Sequence, residues 1–470
     1  MKKREGISLQ GIGVRSSFFE NRDWTQLGFS KVSRKGMGRA MKSHLILAVL
    51  TVLTVLSGAN LIASDKEKTA ANARAKRADW PQWRGPARDD ISQETGLLKK
   101  WPEGGPKRVW LFEDAGSGYS GPAIADGRLF TIGTQGDMDG GDEILIALDA
   151  DKGTVLWKTP VGTILKNGWG NGPRGTPTVV GDRVYAMGGQ GDLVCADVKS
   201  GKVQWQKNMA RDFKGKRPNW GYTESVFVDG EQLICCPGGQ GASVVALNKD
   251  TGATIWQAGD LDRNVHYSSV IKIDSPPTYV KLTVSELAGI DAGTGDVRWR
   301  IPFPGRTAVV PTPIYHDGHV FICAGYGVGC KLVSVKGGKA KEVYFNKNMK
   351  NHHGGVLQLK DHLYGYSDGV GWACMDYMSG EVVWREKKAL GKGAVTFADG
   401  RLYCVDERQG TVVLADASPN GWNELGRFVL SPQSTIRSSR GKIWTHPVVC
   451  NGKLYLRDQE FVYCYDIQSP

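Results

Sequence analysis

The sequence lacks the short motifs of the commonest enzyme chemistries. No glycine-rich loop follows a strand pattern and opens a helix, so no phosphate cradle on a helix N-terminus is encoded. Gly-x-Ser-x-Gly and His-Glu-x-x-His are absent, which removes the nucleophile elbow and the two-histidine zinc helix. No Cys-x-x-Cys-His is present to attach a haem. Long apolar runs are scarce: after Leu45–Leu56 nothing approaches the ~20 residues that a membrane-spanning helix needs. The first cysteine is Cys195, so that run is not followed by the cysteine a bacterial lipid anchor requires.

Net charge is scarce beyond the N-terminal region. The chain carries +12 in total, of which residues 1–40 hold +6 and residues 41–78 hold +4, leaving +2 for everything after residue 78. A nucleic-acid partner is therefore not expected, because the basic excess lies outside the part that folds. Met41-Lys42-Ser43-His44, the apolar run Leu45–Leu56 and the small residues from Ser57 to Ser64 have the order of a secretory signal peptide. The expected organisation is a non-native or disordered leader over 1–40, a signal peptide over 41–64, a basic linker over 65–78 and one folded domain over 79–470. Export to the periplasm or cell exterior follows, with no membrane span after cleavage.

Nine cysteines are an odd number for an exported chain. Cys195, Cys374 and Cys464 occupy one equivalent place in three repeats, and Cys235, Cys323 and Cys404 another. Equivalent positions on separate sheets packed about 10 Å apart are too distant to bridge, so buried free thiols acting as small hydrophobes are expected.

What is present is an internal repeat. Asp149-xxx-Gly153-xxx-Trp157 recurs at Asp197, Gly201 and Trp205; at Asn248, Gly252 and Trp256; at Asp291, Gly295 and Trp299; and at Asp376, Gly380 and Trp384. Each copy follows an apolar strand such as Ile144–Leu148, and the Trp falls in a second strand. Asp or Asn closing one strand, followed by Gly at positive φ, spells a hairpin turn. The Trp is a large apolar plate suited to the space between adjacent sheets. A second recurrent hairpin lies upstream: Asp126-Gly127, Gly181-Asp182, Asp317-Gly318, Asp399-Gly400 and Asn451-Gly452. Two hairpins make four strands per unit. Degenerate units lead from Val335 to Tyr344 and from Asp416 to Phe428, giving eight units spaced by 40 to 51 residues.

Four antiparallel strands at this period predict an all-β, eight-bladed β-propeller. The last unit stops at Cys464-Tyr465-Asp466 without its Trp strand, while Arg108–Phe112 is a Trp strand with no unit before it. The N-terminal strand is expected to close the ring as the outer strand of the last blade.

The unit resembles the repeats of pyrroloquinoline-quinone (PQQ) dehydrogenases and of the propeller lipoprotein in the outer-membrane barrel-assembly machinery. With Asp79-Trp80-Pro81-Gln82-Trp83-Arg84-Gly85-Pro86, Asn219-Trp220-Gly221-Tyr222 and Pro237-Gly238-Gly239, the sequence is similar to exported PQQ-like repeat proteins of the planctomycete type over residues 79–467. That superfamily contains both enzymes and scaffolds, so it implies the fold more than the function.

In such a ring the loops leading into the innermost strands converge on one mouth of the central channel. Here they carry Tyr119, Arg174, Trp220-Gly221-Tyr222-Thr223-Glu224, His266-Tyr267, Arg306, His352-His353, Lys392, and Trp444 with His446. A planar tricarboxylate quinone would call for cations to pair with its carboxylates and for indoles to stack on its ring. Arg174, Trp220, Glu224, Arg306, Lys392 and Trp444 are the candidate cofactor-binding residues. The plainer reading is that small residues permit close approach around a crowded axis while charged groups face water. His352-His353 would share a metal only if the chain bends at Gly354-Gly355, and no metal site is expected. Under the resemblance, quinone chemistry would also use Ca²⁺ held by carboxylate and amide oxygens; Glu224 is the one carboxylate in these loops. Cys235-Cys236 resembles the adjacent-cysteine disulfide of some such dehydrogenases, but its place in a strand favours ordinary packing.

Two functions are carried forward. The first is a non-catalytic, exported scaffold that binds a protein or carbohydrate partner through the channel-mouth loops, with no cofactor. The second is a PQQ-dependent periplasmic dehydrogenase acting on an alcohol or sugar, with PQQ and Ca²⁺. No catalytic residue is assigned.

Overall fold

The structure, a computed structural model, describes residues 79–137 and 139–470. The expected leader, signal peptide and linker (1–40, 41–64 and 65–78) lie outside the described residues.

Eight sheets form, and the repeat units map onto them one for one. In blade 1 the strands Ala123–Ala125, Arg128–Gln135, Asp142–Asp149 and Val155–Thr163 pair in chain order, each antiparallel to the next. Blades 2 to 7 repeat the plan over 178–208, 227–258, 271–302, 314–346, 356–386 and 393–429. The first strands of neighbouring blades approach one another around the axis, so each blade runs outward from it. A five-residue helix, α1 (Met209–Phe213), leaves blade 2, with the Asn208 side chain accepting from the Ala210 and Arg211 N–H groups.

Blade 8 is completed as the broken repeat requires. Its own strands are Val448–Cys450, Lys453–Asp458 and Phe461–Asp466, and Arg108–Phe112 pairs antiparallel with the last, setting Trp110 opposite Cys464. The interrupted turn is restored as well: Asp466 N donates to Lys107 O at 2.8 Å, as Asp149 N does to Thr154 O within blade 1. Arg457 of blade 8, 1% exposed, crosses the same seam and donates to Ser120 O, Thr131 Oγ1 and Ile132 O of blade 1 at 2.9, 2.7 and 2.7 Å.

The Asp…Gly…Trp motif encodes a local turn and a contact with the next blade together. The Asp149 carboxylate accepts from the Asp151 and Lys152 N–H groups, and Gly153 turns at φ +70°. The Trp of the preceding blade then lies across that Gly: a Cβ on Gly153 would fall 2.6 Å from Trp110, and one on Gly201 2.6 Å from Trp157. Four of the indole N–H groups donate to the carbonyl just past the marker, Trp110 to Ala150, Trp157 to Val198, Trp205 to Lys249 and Trp256 to Ala292, at 2.8–3.3 Å, and Trp384 donates one residue further on, to Ser418 O at 2.9 Å. In degenerate blade 5, Tyr344 stands where the Trp belongs, and its hydroxyl donates to the matching carbonyl of Tyr377 at 3.0 Å.

The buried apolar residues accordingly divide into clusters lying between consecutive blades, such as Phe130, Leu145 and Val194 between blades 1 and 2, or Tyr403, Leu414 and Leu454 between blades 7 and 8. All nine cysteines are buried free thiols within this packing, Cys235 and Cys236 among them.

Candidate functional site

The two ends of the channel differ. At one end lie the turns, tied to the inner hairpin in seven blades by a bond from the residue after the marker, from Ala150 N to Gly127 O in blade 1 through to Ile467 N to Gly452 O in blade 8, and in blade 5 by Val335 N to Gly318 O. At the other end the loops leading into the innermost strands converge.

The turn end is stopped by the chain's own N-terminal segment. Trp80 exchanges two backbone bonds of 2.8 Å with Ile124 in blade 1, and Pro81 O accepts from Val179 N in blade 2. The Arg88 guanidinium donates to Ser225 O and Val226 O just before blade 3. Trp83 Nε1 donates to Thr312 Oγ1 before blade 5 at 2.9 Å, and Arg84 Nη2 to Val356 O in blade 6 at 2.6 Å. Ile91–Ser92 then adds parallel to Phe397–Ala398 as a fifth strand on blade 7. Residues 80–92 thus lie across the axis as a stopper. The segment is tightly coiled: Arg84, Gly85, Arg88 and Asp90 have φ of 62°, 81°, 59° and 60°, a region that L-residues other than Gly, Asn and Asp seldom enter. An ion pair inside it holds the coil, because Asp90 Oδ2 accepts from Arg84 Nε at 2.7 Å with both side chains 1% exposed.

Above the stopper is a blind cup of about 290 Å³, floored by Trp83. Aromatic rings line one wall in an unbroken arc. Tyr326 meets His352 at 4.4 Å between centroids, His352 stacks on His353 at 3.7 Å, His353 meets Trp444 at 4.6 Å, and Trp444 meets Tyr119 at 4.9 Å. The Arg174 guanidinium caps the arc, 5.3 Å above the Tyr119 ring. Trp220 and Tyr267, 5.7 Å apart, also line the cup.

Burial keeps the two histidines neutral. Desolvation, reinforced by the Lys392 ammonium, pulls His352 down to about 4, and desolvation with the neighbouring cations pulls His353 well below the ordinary imidazole value. Lys392 Nζ pairs with Asp368 at 2.7 Å and lies 3.2 Å from His352 Nδ1. Arg174 donates to Gly170 O and Gly172 O, both at 2.7 Å, and its burial lowers its pKa. Glu407 is raised above the usual carboxylate range, chiefly by burial, with Lys392 and Trp444 opposing.

Of the residues singled out from sequence, Arg174, Trp220, Lys392 and Trp444 all line this cup. Glu224 does not. It is 3% exposed behind the wall, its Oε1 accepts from Cys236 N, and its charge opposes the burial that pulls Arg88 of the stopper down to about 9. Arg306 is exposed to solvent, and the cup is instead met by Ala308 and Val310 from the same loop. Residues not singled out beforehand include Trp83, Trp169, Glu407, Arg408, Arg440 and Lys442. Trp83 lies in the Asp79–Pro86 motif, and Trp169 in the run Asn167-Gly168-Trp169-Gly170-Asn171-Gly172. The others come from a turn inside blade 7 and the long connection between blades 7 and 8.

The donor set does not suit Ca²⁺. Among the described residues Glu407 is the one carboxylate lining the cup, and no three His, Cys, Asp or Glu side chains group closely enough to hold a metal ion.

Residues 141–386 match the family model described as outer membrane protein assembly factor BamB. The chain belongs to this BamB-type family. Among curated relatives, BamB of Salmonella typhimurium is 26% identical over 163 residues, which is 33% of this chain and 35% of that protein. The chain thus aligns with about a third of the length of that relative. Among solved structures, BamB from Moraxella catarrhalis superposes with a TM-score of 0.54 at 14% identity, covering 77% of this chain and 98% of that one. Quinohemoprotein alcohol dehydrogenase from Comamonas testosteroni reaches 0.54 at 10% identity, covering 86% and 82%. At these identities the structural likeness speaks for the propeller fold. Among the described residues no helix is long and apolar enough to cross a membrane.

Proposed function

We propose that this BamB-type propeller is a non-catalytic binding module that works outside the cytoplasm and holds a protein or carbohydrate partner through its channel mouth. The observation that carries this reading is the blind, aromatic-walled cup. It has recognition groups without a reacting set. His352 and His353 stack on each other, the cysteines are buried elsewhere in the blades, and among the described residues Glu407 is the one carboxylate on the cup. Family relatives described as outer membrane protein assembly factors support a scaffold role in the cell envelope. The basic and apolar pattern over 41–64 supports export.

A second reading, a PQQ-dependent alcohol or sugar dehydrogenase, is favoured by one feature, the union of Arg174, Lys392, Trp220 and Trp444 in one cup. Titrating the purified protein with PQQ and Ca²⁺, and following absorbance and then dye reduction with ethanol or glucose, separates the two. The binding-module reading expects no substrate-dependent dye reduction, and sustained turnover would overturn it.

A further inference from the structure

We propose that the cup recognises an acidic carbohydrate, taking a sugar ring between its aromatic walls and the sugar's anionic group on the cations of the surrounding loops. This rests on the binding-module reading and names the ligand class for it.

The lining has the layered chemistry that an acidic sugar presents. A pyranose offers apolar C–H faces, a belt of hydroxyls and, in a uronic acid or sulfated sugar, one localised negative charge. Trp83 and Trp220 supply flat apolar platforms for the faces. For the hydroxyls there are His352 Nε2 and His353 Nδ1, buried ring nitrogens with no hydrogen-bond partner among the described residues. Such atoms are costly to leave unpaired. A neutral imidazole nitrogen donates or accepts according to its tautomer, and a hydroxyl also does both, so the pair suits a polyol.

The charge is placed for an anion. Arg174 and Lys392 are already engaged with backbone carbonyls and Asp368. Arg408, Arg440 and Lys442, in contrast, line the cup and form no ion pair among the described residues. Arg440 lies over exposed Trp169 at 5.7 Å, which joins a cation to a further stacking surface. The surplus cations therefore come from loops around the cup, where a substituent projecting from a stacked ring would reach. At about 290 Å³ the cup is at the small end of ligand sites, roughly 300–1,000 Å³ for drug-sized molecules, and so suits one or two sugar units of a longer chain.

The test uses the full mature protein, with isothermal titration and tryptophan fluorescence at low and at 300 mM salt (about 30-fold or less above the low buffer). The probes are tetragalacturonate, maltotetraose and tetraglutamate. Tetragalacturonate is expected to bind at least about tenfold more tightly than maltotetraose, equivalent to about 1.4 kcal/mol, and to weaken with salt. Trp220→Ala should reduce binding of either saccharide. The double variant Arg408→Gln/Arg440→Gln, at two exposed positions, should bring tetragalacturonate down to the maltotetraose level with the thermal midpoint unchanged. Equal binding of the two saccharides, or a lack of binding by both, overturns the proposal. Tighter binding of tetraglutamate, lost in Trp220→Ala, also overturns it while leaving the binding-module reading intact. Substrate-dependent dye reduction with PQQ overturns that wider reading instead.

Discussion

His446, in the loop leading into blade 8, sets its Nδ1 2.9 Å from Oδ2 of Asp90 in the stopper, the same oxygen that accepts from Arg84 Nε at 2.7 Å. Its Nε2 lies 2.8 Å from His353 O, so one imidazole links the stopper to the wall of the cup. Arg84→Met would leave the Asp90 carboxylate buried without its cation, at a cost of about 3–5 kcal/mol. Urea unfolding checks this, and the added change Asp90→Asn should recover part of the loss, because Asn tolerates a positive φ and carries no charge. An Arg84→Met protein with the wild-type midpoint would show that the ion pair does not hold the stopper.

Two glycine substitutions separate backbone strain from inter-blade crowding. Gly400 turns at φ +80° with nothing within 4 Å of a built Cβ, whereas Gly201 turns at φ +71° with Trp157 2.6 Å away. Gly400→Ala should cost about 1–2 kcal/mol from the left-handed backbone alone. Gly201→Ala should cost a further 1–3 kcal/mol, roughly, for displacing the indole. Denaturant midpoints at constant m-value report the difference, and equal losses would contradict the docking role of the Gly.

Removing residues 79–113 takes away both the stopper and the outer strand of blade 8. Calorimetry of that protein should show no single cooperative transition, because blades 7, 8 and 1 lose the strand pairing and the Trp110 contact that join them. The milder change Trp110→Ala should cost about 3–5 kcal/mol by opening the same seam. A truncated protein with the intact melting transition would refute closure by the N-terminal strand.

The stability of the cup should depend on acid. His352 in the unfolded chain takes up a proton as pH falls through 6.5, whereas in the folded protein it does so only near 4. The unfolded state then binds more protons across that window, so stability is full above pH 6.5 and declines as pH falls toward 4. Circular-dichroism melting between pH 7.5 and 4.5 should show a shallower decline in His352→Gln than in the wild type. Parallel curves would place His352 in water instead.

The blades were legible because their markers act at two ranges. Asp149 and Gly153 set a turn within four residues, and the Trp at fixed spacing finds the corresponding Gly of the next blade. Even degenerate blade 5 keeps the contact, since Tyr344 reaches the carbonyl that an indole reaches elsewhere. The stopper was not legible. Its left-handed residues Arg84 and Arg88 are not turn formers, and its bonds run to Val226, Thr312 and Val356, far along the chain, with no periodicity to announce them. The cup was half legible. Arg174, Trp220, Lys392 and Trp444 follow from the rule that loops before inner strands meet at the mouth. That rule does not say which side of a loop faces inward, and so it does not tell Glu224, bonded to Cys236 N–H, from its neighbour Thr223 on the cup. Arg408 belongs to a turn inside blade 7, and Arg440 and Lys442 lie upstream of Trp444 in the long connection between blades 7 and 8, so none of them gives such a signal.

The pairing of Arg108–Phe112 with Phe461–Asp466 also orders events in time. Arg108–Phe112 is made early and must wait, unpartnered, for Phe461–Asp466, whereas the stopper meets its partners on blades 1, 2, 6 and 7 as each of those blades is made. Circularisation is thus a late act, and a chain that stopped before Phe461 would leave Arg108–Phe112 without its partner strand.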